Sequence, residues 1–425
     1  MLGEMYSAAF TGAAFNWICS PAVTELETVV LDWLARAFGL PECYLSTGPT
    51  RGGGVIHGTA SEAVATVLVA ARDRYLRAAT ADAGDEEARE DAMAERRGRL
   101  VALGSAASHS ATKKGAQIAG VRYRSVPVRA EDGYRMTGPA LRATVESLRA
   151  RGLEPFFLTA TFGTTDTCAV DDMESIADVV EELDAKSPVA ANGGKIWVHV
   201  DAAYAGVSLL CPEHRAAVSG GGVLGRFDSF NTNLHKWLLV NFDCSALFVR
   251  DRRPLVDALS VTLPILRNAP TDSGLVTDYR DWQIPFGRRF RSLKVWFVVR
   301  AYGLAGLRAH VRKHVAFAEL FADLLRSRPD LFEIVTGPRF ALTVFRLKGK
   351  GNGESEAAAV LEEQNALTKT MYEAILAEGK IFLSSTVVGG VYALRHNPAT
   401  PFVEEHHVRK HFEIFVEAAE KTLAK

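Results

Sequence analysis

The sequence lacks the features that mark several large classes of protein. No apolar run reaches the roughly 18 residues needed to cross a bilayer. Lys and Arg total 49 and Asp and Glu total 50, so the formal net charge is -1. That balance provides no field to attract nucleic acid or an anionic membrane. An acidic residue, Glu4, comes early and no basic residue precedes it, which argues against a signal peptide.

Paired cysteines and metal-ligand spacings are also lacking. The five cysteines are scattered and form no CxxC pair, and the eleven histidines show no spacing typical of metal ligands. We therefore expect reduced thiols, no metal and a cytoplasmic protein that binds neither nucleic acid nor membrane.

Short apolar runs alternate with helical patterns through the first 300 residues. The strand-like runs are Leu100–Gly104, Pro155–Ala160, Ile196–Val200 and Ser245–Val249. A helical pattern at Met173–Leu183 lies between two of them. This alternation predicts an α/β fold with a mostly parallel sheet.

The pattern changes near Tyr302, which predicts a second domain. A helix at Val311–Leu325 precedes short strands near Phe340–Leu347 and Val391–Arg395, and a helix from Val403 to Leu423 ends the chain. We predict a large domain at residues 1–301 and a small α+β C-terminal domain at residues 302–425.

Two Thr-x-x-Glu sequences predict helix starts by the capping-box rule. They are Thr24–Glu27 and Thr59–Glu62, and the second follows the glycine-rich residues 50–54. Free N–H groups at such a helix start favour a phosphate, and the hydroxyl of Ser61 adds a donor. A plain capped turn is the alternative, since the glycine spacing fits neither a Walker loop nor a dinucleotide fingerprint.

Asp201 and Lys236 together indicate a cofactor. Asp201 ends a buried parallel strand, where α/β proteins bind ligands, and Lys236 follows 35 residues later. Taken alone, Asp201 could be an acid in a turn and Lys236 a surface lysine. Pyridoxal 5′-phosphate (PLP) needs a lysine that forms a Schiff base and commonly an Asp beside its pyridine nitrogen. The pair therefore predicts PLP.

Two further polar residues follow strand-like runs. His109 comes after Leu100–Gly104, where its ring can stack on a flat heterocycle. Thr161 comes after Pro155–Ala160, where its hydroxyl can reach the cofactor. The alternatives are a surface or capping histidine and a β-turn threonine.

Taken in order, these segments resemble the aromatic-L-amino-acid decarboxylases, which belong to the group II PLP decarboxylases. The resemblance covers nearly the whole chain. The matching stretches include Phe15–Trp17, Ser20–Ala22, Gly52–Ile56, Ala60–Glu62, His199–Gly206, Asn233–Ser245, Asp272–Gly274, Asp278–Arg280 and Trp282–Lys294.

The resemblance implies a fold of the aspartate aminotransferase type (fold type I) and a homodimer with shared active sites. It also implies residue roles. Lys236 forms the Schiff base and Asp201 pairs with the ring nitrogen; His109 stacks on the ring, which Thr161 and Ala203 contact. The remaining implied roles are phosphate binding by Ala60, Ser61 and Asn233, a place near the substrate for His235, and an aromatic pocket across the dimer interface for Phe15.

The sequence departs from the family pattern in four ways. It begins several dozen residues into the family's length, so we expect residues 1–23 to be the remnant of an N-terminal segment and the dimer to be weaker. Leu234 replaces a usual Pro, His57 replaces a usual Gln, and Ile265 replaces the tyrosine of a loop at residues 262–275.

Three functions follow from the resemblance and these departures. The first is decarboxylation of an aromatic L-amino acid to the amine and CO2. The second is an aromatic aldehyde synthase, in which decarboxylation is followed by oxidative deamination, because Ile265 has no proton to donate. The third is a truncated, catalytically weakened protein of the same fold.

Overall fold

A computed structural model describes residues 1–10, 12–261, 268–274, 276–349 and 357–424. The chain divides into two compact units. The first comprises Met1–Val128, Arg135–Gly163 and Val170–Leu307, and the second comprises Arg129–Tyr134, Thr164–Ala169 and Arg308–Lys425.

The first unit is built on a seven-stranded sheet. Its strands are β1 (Gly53–His57), β2 (Leu100–Ser105), β3 (Arg122–Val126), β4 (Glu154–Thr161), β5 (Trp197–Asp201), β6 (Ser229–Asn233) and β7 (Ser245–Val249). Its helices are α1 (Leu2–Ala9), α2 (Pro21–Phe38), α3 (Ala60–Ala79), α4 (Glu86–Arg97), α5 (Ala111–Ile118), α6 (Gly138–Arg149), α7 (Met173–Ala185), α8 (Pro188–Ala191), α9 (Leu234–Trp237), α10 (Arg253–Leu259) and α11 (Ala269–Asp272). Short 3-10 segments cover Glu42–Tyr44, Ala205–Leu210, Pro212–Arg226 and Tyr279–Trp282.

The order of the strands brings loops from distant parts of the chain to one edge of the sheet. The order is β1-β7-β6-β5-β4-β2-β3, and the neighbours from β6 to β3 are parallel. β7 runs antiparallel to both β1 and β6. The carboxyl ends of β1, β6, β5, β4 and β2 therefore share an edge with the amino end of β7. Open α/β sheets bind ligands at such an edge.

Helices cover both faces of the sheet. On one face, Val67 and Leu68 of α3 belong to one buried cluster with Val55 of β1 and Leu247 of β7. On the other face, Leu31 of α2 packs closely against Gly54. A β-carbon added at Gly54 would lie 3.0 Å from Leu31 Cδ1. Because both faces are buried, the strands read as apolar runs.

Four predicted strands, β2, β4, β5 and β7, are confirmed, as is the helix at Met173–Leu183. β3 and β6 were not predicted. β3 has largely exposed side chains, and β6 is polar at four of five positions although all five are buried.

Of the two predicted helix starts, the one at Thr59 is confirmed, although only one of the two hydrogen bonds of a capping box forms. Thr59 Oγ1 accepts a hydrogen bond from the Glu62 amide at 3.3 Å, although the Glu62 carboxylate binds the Gly58 amide. The predicted helix start at Thr24 is wrong, because α2 begins at Pro21. Proline is favoured in the first turn of a helix.

Glu27, the acid of that second box, is instead one half of a buried ion pair. Its Oε1 atom lies 2.5 Å from Arg288 Nη2 and accepts a hydrogen bond from the Ile56 amide at 2.8 Å. The side chains of Glu27 and Arg288 are 1% and 2% exposed. Arg288 also lies over the ring of Tyr279, at 4.6 Å from its centroid. The pair thus joins α2, β1 and the segment before residue 291.

The second unit is a small α+β structure. Its sheet has the order β10-β11-β9-β8 and is antiparallel throughout. The strands are β8 (Phe332–Arg339), β9 (Leu342–Leu347), β10 (Ser384–Val388) and β11 (Val391–His396); the helices are the second part of α12 (Arg291–Arg326), then α13 (Ala357–Glu378) and α14 (Glu405–Leu423). Its core contains Phe321, Phe345, Met371 and Phe415.

Helix α12 runs through the boundary between the units and is interrupted at Gly303, whose φ is 60°. We retain the domain boundary after residue 301 as a proposal. In the part of the chain that the structure describes, no helix is both long and apolar enough to cross a membrane.

The buried ion pair leads to a prediction on stability. Glu27→Gln leaves the guanidinium of Arg288 buried without its charge partner, so we expect the free energy of unfolding to fall by about 3–5 kcal/mol. Urea denaturation measures this. Glu182→Gln, which removes the exposed partner of Arg142, is the control and should leave the midpoint unchanged. Equal midpoints for the two variants would show that the buried pair is unimportant.

Candidate active site

A row of polar side chains crosses one face of the sheet at its carboxyl edge. Residues paired across strands point to the same face, as do residues i and i+2. Backbone pairing joins His57 to Ser245 and Ser245 to Asn233, and it joins Thr161 to Asp201 and Asp201 to Asn231. All of these residues are buried. They lie on the face that α3 and α5 cover.

Asp201 is the acid of this row. It is 5% exposed, and its Oδ1 atom accepts a hydrogen bond from the Ala203 amide at 3.0 Å. His199 lies two residues earlier on the same face. Its Nδ1 atom is 2.8 Å from Ser229 Oγ, and its Nε2 atom is 2.8 Å from Asn231 Oδ1. Burial lowers the pKa of His199 to about 4, and the attraction of Asp201 only partly offsets it. The imidazole is therefore neutral and orients the row below Asp201.

Several atoms of the row have no partner within the described residues. They are His57 Nε2, Ser245 Oγ, Asn233 Oδ1 and Asn231 Nδ2, all buried. A buried polar group without a partner costs about 1–3 kcal/mol. A cluster of them beside a buried carboxylate fits a polar ligand with several hydrogen-bonding groups, which PLP is.

The start of α3 has two amides available to bind an anion, and we call this segment the phosphate cradle. The amides of Glu62 and Ala63 donate to Thr59 Oγ1 and Thr59 O, at 3.3 and 3.1 Å. The amides of Ala60 and Ser61 come earlier in the helix, where no intrahelical acceptor exists. Two outward N–H groups and the positive end of the helix dipole favour an anion.

Lys236 lies on α9, immediately after β6. The Leu234 amide donates to Cys244 O at 3.0 Å, a hydrogen bond that the family's usual Pro would lack. The side chain of Lys236 is exposed. Trp237 next to it is buried and stacks on Tyr204, with 5.2 Å between ring centroids. This stacking joins the lysine segment to the segment after Asp201.

His235 precedes the lysine and has a defined tautomer. Its Nδ1 accepts a hydrogen bond from the Cys244 amide at 2.9 Å, and its ring packs edge-on against Phe242. Burial lowers the pKa of His235, and the charges of Lys236 and Lys294 lower it further. The neutral imidazole therefore has its proton on Nε2.

The structure brings three more of the expected residues to the same edge. Thr161 Oγ1 lies 3.4 Å from Ser108 Oγ, in the loop that carries His109. His109 is exposed, and its Nδ1 accepts a hydrogen bond from the Ala111 amide at 3.1 Å. Ala203 O accepts a hydrogen bond from the Asn233 amide at 3.0 Å.

Two expected residues remain, Phe15 and Ile265. Phe15 packs on Phe286, with 5.0 Å between ring centroids, and its carbonyl accepts a hydrogen bond from the Arg280 amide. It thus belongs to a group of aromatic residues near the N-terminus. Ile265 lies outside the described residues.

Sequence reasoning missed Asp171. This wholly buried carboxylate accepts hydrogen bonds from the amides of Thr161 and Met136, at 2.8 and 2.7 Å, and its own amide donates to Thr161 O at 3.0 Å. Asp171 therefore fixes the end of β4 beside Asp201. Its partners are backbone groups distant in sequence, so no local motif marks it.

Comparison with known proteins agrees with this geometry. Residues 1–348 match the family described as the pyridoxal-dependent decarboxylase conserved domain. The chain belongs to that family. The predicted cofactor, PLP, is confirmed, and so is the predicted resemblance.

Individual relatives are named as decarboxylases of aromatic amino acids or as a phenylacetaldehyde synthase. The chain is 41% identical to phenylacetaldehyde synthase of Arabidopsis thaliana, covering all of this chain and 80% of that protein. It is 42% identical to tryptophan decarboxylase 2 of Oryza sativa subsp. japonica, covering all of this chain and 78% of that protein. For the aromatic-L-amino-acid decarboxylase of Cavia porcellus the identity is 41%, covering 96% of this chain and 78% of that protein.

Solved structures confirm the fold type I prediction. Oryza sativa TDC with PLP and tryptamine superposes with a TM-score of 0.88 at 38% identity, covering 99% of this chain and 81% of that one. Rhodiola rosea 4-hydroxyphenylacetaldehyde synthase superposes with a TM-score of 0.83 at 32% identity, covering 99% of this chain and 80% of that one.

Asp171 gives a prediction on pH dependence. Burial raises its pKa to about 7, so folding favours the protonated form. Its stabilising contribution is complete below about pH 4 and is lost as the pH rises through about 7. The unfolding free energy of the protein relative to Asp171→Asn should therefore fall by roughly 1.4 kcal/mol per pH unit within that window.

Urea denaturation from about pH 4.5 to pH 8 measures that difference. Asp172→Asn is the matched control, because it removes the adjacent carboxylate but retains a residue that caps α7. A difference for Asp171→Asn that does not change between about pH 5 and pH 7 would contradict the assignment.

Proposed function

We propose that this protein decarboxylates an aromatic L-amino acid to the amine and CO2, with PLP bound at the carboxyl edge of the large sheet. The observation that carries the proposal is the buried Asp201, which lies within the polar row while Lys236 follows the neighbouring strand. Relatives about 40% identical over nearly the whole chain are named as decarboxylases of aromatic amino acids.

Lys236 and Asp201 have the chemical roles in this proposal. The amine of Lys236 holds the cofactor covalently, and Asp201 keeps a proton on the ring nitrogen. When bound, PLP provides a cationic ring that accepts the electron pair left when the bond between the α-carbon and the carboxylate breaks. Burial of Asp201 strengthens its attraction for that ring, since a low dielectric screens charges weakly.

The other residues bind and orient. The amides of Ala60 and Ser61, with Asn233, bind the phosphate. His109 and Ala203 bracket the ring, and the hydroxyl of Thr161 orients it. Support comes from their common edge and from the amides of Ala60 and Ser61, which have no intrahelical acceptor.

His235 is the side chain beside Lys236 that the geometry favours for guiding a proton to the α-carbon. Because Nδ1 of His235 accepts a hydrogen bond from the Cys244 amide, the ring carries its proton on Nε2, on the side away from Cys244. The Nε2–H group of this neutral ring can hold a water molecule by a hydrogen bond, and that water can give a proton to the α-carbon and recover one from solvent.

We also propose that the protein acts as a cytoplasmic homodimer whose active sites include Phe15 of the neighbouring subunit. Exposed apolar side chains cluster in sequence near the N-terminus and in one later segment. They are Leu2, Met5, Tyr6, Phe10, Ile18, Ile284 and Phe286. Exposed apolar surface of this kind is typical of an interface. A monomer in sedimentation at micromolar concentration, with full activity, would contradict shared sites.

An assay with a panel of amino acids tests the proposed reaction. The PLP-loaded protein is incubated with L-phenylalanine, L-tyrosine, L-tryptophan and L-glutamate, and CO2 and amine are quantified. We expect CO2 from at least one aromatic substrate and none from glutamate. No CO2 from any aromatic substrate would refute the proposal.

A second candidate function is aldehyde formation. Ile265 has no proton to donate where the resemblance places a tyrosine, and a phenylacetaldehyde synthase is among the relatives. The balanced reaction converts the amino acid, O2 and water to the aldehyde, CO2, ammonia and hydrogen peroxide. Oxygen takes the electron pair that a proton would otherwise trap.

Substitution of Ile265 distinguishes the two products. Ile265→Tyr adds a phenolic proton, so we expect more amine and less hydrogen peroxide for each CO2 released. Ile265→Phe has the same ring without the hydroxyl and should behave as the unsubstituted protein. Identical product ratios for the two variants would show that a proton at this position is irrelevant.

Asp201→Asn tests the acid directly. An amide cannot hold a proton on the ring nitrogen, so we expect kcat to fall by on the order of 10²-fold or more while cofactor absorbance persists. Steady-state kinetics at equal PLP content measure this. A kcat within a few-fold of the unsubstituted protein would remove Asp201 from the mechanism.

A further inference from the structure

The proposed reaction provides no role for His57, a titratable side chain of the row. It ends β1 and is 0% exposed. Ser245 pairs with it on one strand, and Asn233 pairs with Ser245 on the next. His57 Nε2 has no hydrogen-bond partner in the described residues, and neither has Ser245 Oγ. A titratable ring thus stands two strands from a phosphate-binding residue.

A carboxylate faces the other nitrogen of this ring. His57 Nδ1 lies 3.3 Å from Glu62 Oε1, while Glu62 Oε2 accepts a hydrogen bond from the Gly58 amide at 2.8 Å. Burial raises the pKa of Glu62, but the contacts with His57 and Gly58 outweigh it and hold the pKa below its usual value. Glu62 is therefore anionic, and it adjoins Ser61 of the phosphate cradle.

The other charged groups near His57 are paired among themselves. Asp243 and Arg291 lie close to Gly58, since a β-carbon added there would be 3.3 Å from Asp243 Oδ2 and 3.8 Å from Arg291 Nη2. These two atoms form an ion pair 2.8 Å apart. Lys294 lies 2.7 Å from Glu4 and 3.9 Å from Asp243.

On the opposite face of the sheet, Glu27 pairs with Arg288. The segment after β6 contributes His235, which is neutral by the argument above, and the amine of Lys236. Glu62 is therefore the charge in direct contact with the His57 ring.

We propose that the His57–Glu62 pair couples phosphate binding to proton uptake, so that His57 becomes an imidazolium when the phosphate of PLP occupies the cradle. The proposal rests on the assignment of PLP and of the cradle at Ala60, Ser61 and Asn233. An arriving dianion favours the charged form of a ring that already faces the Glu62 carboxylate. By linkage, PLP affinity then rises as the pH falls, up to tenfold per pH unit for one proton.

The test measures cofactor affinity rather than activity. PLP is removed from the purified protein, and its Kd is measured by tryptophan fluorescence between about pH 6 and pH 8. The comparison is with His57→Gln, which has the side chain usual in the family and cannot gain a proton. The phosphate of PLP titrates in this range too, but equally for both proteins, so the ratio of the two Kd values isolates His57.

Pyridoxal, which lacks the phosphate, is the matched ligand because it retains the aldehyde that reacts with lysine. We expect the ratio of Kd for His57→Gln to Kd for the unsubstituted protein to rise several-fold from pH 8 to pH 6 with PLP. With pyridoxal the ratio should stay constant. A constant ratio with PLP overturns the proposal, and so does an equal rise with pyridoxal.

Glu62→Gln provides a second comparison and retains an acceptor for the Gly58 amide. We expect it to shift the pH dependence of PLP affinity to lower pH, because the imidazolium loses its anionic neighbour. An unchanged pH dependence would exclude Glu62 from the pair. If neither variant nor the unsubstituted protein binds PLP at any pH, the cofactor assignment itself fails, which is a distinct result.

Discussion

Burial of the Asp201 carboxylate within a parallel sheet is the constraint on which the rest of the site depends. Leaving a carboxylate uncompensated in such a place is costly, and the row around it is built to limit that cost. The Ala203 amide binds one oxygen, and the neutral His199 orders Ser229 and Asn231 below. The unpartnered atoms of the row lie on the same face of the sheet as Asp201, where we propose that the cofactor binds.

Two other buried carboxylates fix the frame around Asp201. Glu27 joins α2, β1 and Arg288 from one face of the sheet, and Asp171 holds the end of β4 through backbone amides. Neither is proposed to touch the cofactor. Their effect is geometric: the carboxyl ends of β1, β4, β5 and β6 are held in one edge, so that helix starts and loops from distant parts of the chain converge. The phosphate cradle at α3 and the lysine on α9 depend on that alignment.

The apolar pattern of the sequence predicted the strands whose side chains are buried on both faces. β2, β4, β5 and β7 are apolar because both faces are buried, so they were found from the sequence. β6 was missed because its polar side chains build the site, and function outweighs the usual strand composition there. The acid of the Thr24 box was misread, since its partner Arg288 lies 261 residues away.

The candidate site divides in the same way. Asp201 and Lys236 were predicted because PLP chemistry demands that pair and because the surrounding residues resemble a family. Asp171 was not predicted, since backbone groups remote in sequence define its role. The unpartnered atoms of His57 and Ser245 follow from register between strands, which a single sequence does not specify.

The central claim is that PLP is bound by Lys236 at the edge where Asp201 lies. Reduction of the PLP-loaded protein with borohydride, followed by proteolysis and mass spectrometry, tests it most directly. The account predicts a pyridoxyl group on the peptide that contains Lys236, and its loss in Lys236→Ala with loss of the visible absorbance. A stoichiometric pyridoxyl group on any other lysine would contradict it.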